Sequence, residues 1–138
     1  MKIQWKIKRF NELLIAELYS VLQLRSEVFV VEQNCVYQDL DGKDEKALHL
    51  IGLFEGKIVA YARLFKPNDY FENASIGRVV IDQNYRDRKW GHEMMQQAIF
   101  GIQQYFGETK ITISAQLYLQ KFYETQGFVQ TSEMYLED

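Results

Sequence analysis

Three strand-patterned segments follow one another, at 49–54, 57–65 and 74–81, with helix-patterned segments on both sides. That order excludes a strict alternation of strand and helix, and it equally excludes an all-antiparallel protein. The dipeptide Glu55–Gly56 between the first two segments marks a tight hairpin. Ahead of them, Ile3, Trp5 and Ile7 alternate with Gln4, Lys6 and Lys8, the pattern of a half-buried strand. Asn11 offers an N-cap for a helical stripe of Leu13, Leu14, Leu18, Val21 and Leu22, continued by Val28 and Phe29 to about Val31. A polar stretch at 33–46 contains the turn Asp41–Gly42. Downstream the pattern predicts a helix over 90–106, a strand over 110–114, a helix over 117–126 closed by Gly127, and a strand over 128–136. The expectation is an α/β chain of order β-α-β-β-β-α-β-α-β, an α+β mixed sheet with helices on both faces.

Length and composition narrow the classes of function. At 138 residues the chain fits one domain, 1–138, able to bury a core without disulfides. Its single cysteine, Cys35, permits no internal disulfide and points to a reducing compartment. The first residues lack the apolar core of a signal peptide, and no apolar run approaches the ~20 residues of a membrane span. A cytoplasmic protein without membrane attachment is expected. The net charge of −3 gives no global basic field, so nucleic acid is not an expected partner. His49 and His92 stand far apart, with no clustered ligand spacing, and no metal is expected. Cys35 has no basic neighbour to activate it as a nucleophile.

The chemistry concentrates between Ile76 and His92. An apolar strand containing Val79, Val80 and Ile81 leads into a short loop with three cations, Arg86, Arg88 and Lys89. A helix follows from Trp90 and Gly91. Backbone N–H groups and cations gathered at a helix N-terminus suit an anion, and a phosphorylated cofactor is the natural candidate.

The order of elements and these residues resemble the GNAT superfamily of N-acetyltransferases. The family's cofactor loop, Arg/Gln-x-x-Gly-x-Gly/Ala, falls on Arg86-Asp87-Arg88-Lys89-Trp90-Gly91, with Lys89 in place of the middle glycine. Its later motif, Tyr-Glu-x-x-Gly-Phe, is matched in full by Tyr123-Glu124-Thr125-Gln126-Gly127-Phe128. Within the superfamily the chain resembles the ElaA-like group through Leu24–Gln33, Asp39-Leu40-Asp41, Ala47–Leu50, Ala62-Arg63-Leu64, Gly77–Val80 and Ile113–Gln116.

The resemblance implies acetyl-CoA as co-substrate. The backbone of Arg86, Asp87, Arg88, Lys89, Trp90 and Gly91 would hold its pyrophosphate. Val79, Val80 and Ile81 would pair with the pantetheine amides as an added strand, with Ser114 and Gln116 also on the cofactor side. If the position of Lys89 requires a positive φ, a side chain there costs ~1–2 kcal/mol. The implied reaction is direct attack of a primary amine on the thioester. Tyr123 would be the acid that protonates the departing thiolate, as a neutral phenol can. Glu32 and His49 are the candidate bases, His49 on the strength of an ordinary pKa of ~6.5. Arg63 and Arg78 lie in apolar strands and need carboxylate partners; Asp39, Asp41 or Glu32 could supply them and shape the acceptor cleft. Acidic residues at Glu32, Asp39, Asp41, Asp44 and Glu45 favour a cationic acceptor, a small-molecule or peptide amine. Aromatics near the C-terminus would allow a homodimer. The rival expectation is a non-catalytic acyl-CoA-binding or interaction domain on the same fold.

Overall fold

A computed structural model supplies the fold, and the structure describes residues 2–113. Within them the order is β1 (Gln4–Arg9), α1 (Ile15–Ser26), β2 (Leu48–Phe54), β3 (Lys57–Phe65), β4 (Ala74–Ile81), α2 (Trp90–Phe106) and β5 (Ile111–Ile113). The five strands form one sheet in sequential order. β1 to β4 run antiparallel, and β5 lies parallel to β4 after the α2 crossover. The expected mixed sheet is therefore present as far as β5. The helix over 117–126 and the strand over 128–136 lie outside the described residues.

Strands β2 and β3 are buried almost throughout because helices cover both faces of the sheet, which explains their unbroken apolar runs. Side chains at alternate positions sort to the two sides. On one side Ile3, Leu50, Ala62, Leu64 and Ile76 pack with Trp90, Met94, Met95, Ala98 and Ile102 of α2. Those α2 positions recur at helical spacing, and burying each large side chain contributes ~1.5–3 kcal/mol. Gly101 permits the close approach: a Cβ there would stand 2.6 Å from Ile7 Cδ1. On the other side Val21, Leu24, Val28 and Phe29 pack against Ile51, Ile58, Tyr61 and Val80.

The hairpin turn is as the sequence predicts. Glu55 and Gly56 both take positive φ, +53° and +80°, between the paired residues Phe54 and Lys57. That combination matches the twist of the flanking strands. The first helix departs from expectation. Phe10–Glu12 forms a separate 3₁₀ turn in which the Glu12 carboxylate accepts the Arg9 N–H at 2.7 Å. α1 starts only at Ile15, where Glu17 accepts the Leu14 N–H at 2.9 Å. Asn11 is therefore not its N-cap, and Leu14 and Ile15 are exposed. At its other end α1 widens into a π-helical turn, Glu27–Glu32. The extra residue per turn rotates the stripe, so Val28 and Phe29 are buried while Val31 is exposed.

Candidate cofactor loop and a buried ion-pair ring

β4 is bulged. Its register with β3 runs Phe65↔Ser75, Leu64↔Ile76, Arg63↔Gly77, then jumps to Tyr61↔Val80 and Ala60↔Ile81. Ala62 thus faces two residues of β4, Arg78 and Val79. Arg78 has φ +50°, in the left-handed region, at a cost of ~1–2 kcal/mol for a residue with a Cβ. Regular alternation would have placed Arg78 on the α2 side with Ile76. The bulge turns it to the α1 side instead, while Val79 and Ile81 pack towards α2 and Val80 towards α1.

On that α1 side three arginines and three aspartates alternate in a closed ring. Asp39 accepts from Arg25 Nε at 2.9 Å and from Arg78 Nε at 2.8 Å. Asp41 lies 2.7 Å from Arg63 and 3.5 Å from Arg78. Asp44 stands 2.8 Å from Arg25 and 2.9 Å from Arg63. All three guanidinium groups are buried, a placement that ionic groups tolerate only when paired. Burial pushes the Asp41 carboxyl up, but hydrogen bonds and charge from Arg63, the Lys43 amide and Arg78 outweigh it and hold it at about 2. Asp44 is also held below the usual range: burial opposes this, and Arg25 and Arg63 prevail.

His49 closes off this cluster. It is fully buried, its Nε2 lying 2.9 Å from the Asp44 carbonyl and its Nδ1 2.6 Å from the Tyr61 hydroxyl. A carbonyl only accepts, so Nε2 carries the proton and Nδ1 accepts from Tyr61. Burial, with the charges of Arg25 and Arg63, keeps the imidazole neutral by lowering its pKa. With both nitrogens engaged and no solvent contact, His49 has no lone pair to offer an incoming amine. The expectation of His49 as base gives way to a structural role.

Glu32, the other candidate base, ends the π-helical turn and grips Arg86 in a two-pronged pair at 2.5 and 2.9 Å. Arg86 Nε donates to the Ile81 carbonyl at 3.0 Å. Glu32 thus ties α1 to the loop and is not a partner of Arg63 or Arg78. Arg63 and Arg78 are instead held by Asp41 with Asp44 and by Asp39 with Asp41. Of the carboxylates expected to attract a cationic acceptor, Glu32, Asp39, Asp41 and Asp44 are accordingly neutralised by arginines, whereas Glu45 is exposed.

Beyond β4 the loop folds as a 3₁₀ turn, Gln83–Arg88, started by the Asp82 carboxylate accepting the Asn84 N–H at 2.9 Å. Arg88 lies over the rings of Phe54, Tyr85 and Trp90, at 4.9, 5.2 and 5.7 Å. Asp87 is exposed. Lys89, also exposed, has φ +60° and is the N-cap of α2, and its side chain makes no capping hydrogen bond. It therefore adopts the backbone conformation a glycine would take there. Trp90 is buried against Phe54, and Gly91 lies in the first turn of α2. Tyr123, Ser114 and Gln116 lie outside the described residues. Arg25 and Tyr61 were not singled out by sequence reasoning. The available signal was Arg25 at helical spacing from Val21 and Val28, on the core face.

Comparison with known proteins places this arrangement. A family model described as an acetyltransferase (GNAT) domain matches residues 15–138. ElaA of Escherichia coli is 39% identical over 138 residues, covering 99% of this chain and 90% of that protein. A UPF0039 protein of Schizosaccharomyces pombe is 41% identical, covering 99% and 91%. The crystal structure of E. coli ElaA superposes with a TM-score of 0.91, covering 99% of this chain and 94% of the other. The structure of an acyl-CoA N-acyltransferase from Pseudomonas aeruginosa gives the same score and coverage at 40% identity. On both sequence and fold, the chain belongs to the GNAT acetyltransferase family, in its ElaA-like group.

Proposed function

We propose that this protein transfers an acetyl group from acetyl-CoA to a primary amine. The observation that carries the reading is the entry to α2. Lys89 holds a positive φ, and its own side chain does not cap the helix that follows the bulged β4. The first-turn N–H groups of such a helix lack intrahelical partners and face an N-terminal partial positive charge. They fit a pyrophosphate, held by the backbone from Arg86 to Gly91. Side-chain charge contributes less than the sequence implies: Arg86 is neutralised by Glu32, and Arg88 is stacked on aromatic rings. Lys89 adds an exposed cation beside the helix start.

The backbone of Val79, Val80 and Ile81 would pair with the pantetheine amides, since β3 uses only one edge of β4 there. Acetyl-CoA, when bound, supplies the acetyl group on an activated thioester. Tyr123 would hold the proton that the thiolate needs, a contribution of roughly 10²–10⁴-fold. The ammonium proton of the acceptor would leave through water, since His49 is sealed and Glu32 is paired. Orientation of the amine in the cleft would supply most of the rate. Small-molecule and peptide amines are both acceptors of this type.

A thiol-release assay with a panel of primary amines tests the proposal. The expected result is amine-dependent release of CoA, lowered tenfold or more in Tyr123→Phe with acetyl-CoA affinity kept. Release that no amine accelerates would favour an acyl-CoA-binding module. Unchanged turnover in Tyr123→Phe would remove that residue from the mechanism.

A further inference from the structure

We infer that the ion-pair ring holds the β4 bulge in its working shape, and that Asp39 and Arg78 are positioning residues for acetyl-CoA. This rests on the reading that β4 receives the co-substrate. A residue other than glycine at φ +50° persists only where its surroundings hold it. Asp39 does so from two directions. Its carboxylate accepts from Arg78 Nε at 2.8 Å and its carbonyl from Arg78 Nη2 at 3.0 Å. The same carboxylate takes Arg25 Nε of α1 at 2.9 Å, so the bulge is tethered to the buried face of that helix. Tyr37 adds a hydroxyl contact to Asp39 at 3.3 Å.

The bulge and the ring require each other. In a regular strand the Arg78 guanidinium would lie on the α2 side, in the apolar cluster of Leu64, Ile76 and Met94. The strain at Arg78 is thus coupled to the α1 face, which carries Asp39 and Asp41. Immediately downstream come the Val79–Ile81 backbone groups proposed to meet pantetheine. Relaxing Arg78 to an extended conformation would shift those groups by one register position and reverse the faces of their side chains. Asp39 therefore acts on acetyl-CoA through Arg78 and the backbone, without touching it.

Glycine separates this account from a general loss of stability. Glycine takes a positive φ freely, whereas alanine carries the Cβ penalty without the guanidinium. Calorimetric titration with acetyl-CoA should show Arg78→Gly binding at least fivefold tighter than Arg78→Ala. Both lose the same ion pairs, so both melting temperatures should fall well below the wild type, that of Arg78→Gly by a few degrees less. In the Asp39→Asn background, adding Arg78→Gly should recover at least fivefold in affinity while the melting temperature stays well below the wild type; this pair carries the comparison if Arg78→Ala does not fold. A glycine advantage below fivefold would overturn the inference. Wild-type protein that is folded but does not bind acetyl-CoA would instead overturn the function reading beneath it.

Discussion

Lys89 is the residue where the chain departs from the cofactor motif yet keeps its shape. Its φ of +60° places the side chain in a conformation that costs ~1–2 kcal/mol against glycine, partly offset by the greater freedom of glycine in the unfolded chain. Lys89→Gly should raise stability by about 1 kcal/mol, or about 3 °C in melting temperature. Denaturant unfolding checks this; a loss of stability would mean that the lysine side chain makes a favourable contact. The positive φ at Lys89 was half legible: the motif has a glycine there, but a lysine could equally have signalled an αR-type turn. The one at Arg78 was not, since an arginine just before Val79-Val80-Ile81 reads as ordinary strand. His49 misled for a related reason. A sequence shows a histidine with a suitable intrinsic pKa, but only the fold supplies the carbonyl and hydroxyl that occupy its nitrogens.

Among the elements, the segment from Asp39 to Asp44 has almost no regular structure and yet joins α1, β3 and β4. Its three carboxylates neutralise Arg25, Arg63 and Arg78, which would otherwise be uncompensated buried charges. Asp44→Ala strips one carboxylate from between Arg25 and Arg63 and should cost about 3–5 kcal/mol. A loss under 1 kcal/mol in urea unfolding would show that water or a neighbouring acid replaces it. β3, β4 and α2 have the boundaries their patterns predict, because burial on one or both faces writes a clear period into the sequence. The start of α1 does not, because Glu12 and Glu17 each reach back to a backbone N–H and Asn11 is bypassed. The π-helical turn that aims Glu32 at Arg86 also leaves no mark in the apolar pattern. The closed ring was only half visible: buried arginines called for aspartates, but their partners depended on a bulge.

Across the whole molecule these ionisations give stability a definite pH profile. His49 titrates below its ordinary value in the folded state, so the unfolded chain takes up a proton first as pH falls below about 6.5. Stability should therefore decline from that point, and His49→Gln should flatten this upper step in urea midpoints measured from pH 8 to 5. Asp41 and Asp44 are depressed, Asp41 to about 2, so their stabilisation is full above about pH 4 and is lost as pH falls towards 2. A profile flat from pH 8 to 5 in the wild type would contradict the buried neutral imidazole. The proposed use of acetyl-CoA is the central claim, and thermal unfolding with and without it tests that claim most directly. Ligand at a hundredfold over its dissociation constant stabilises by about 2.7 kcal/mol. The account predicts a rise of several degrees in melting temperature that grows with acetyl-CoA concentration. An unmoved transition at millimolar acetyl-CoA, in protein shown to be folded, would contradict it.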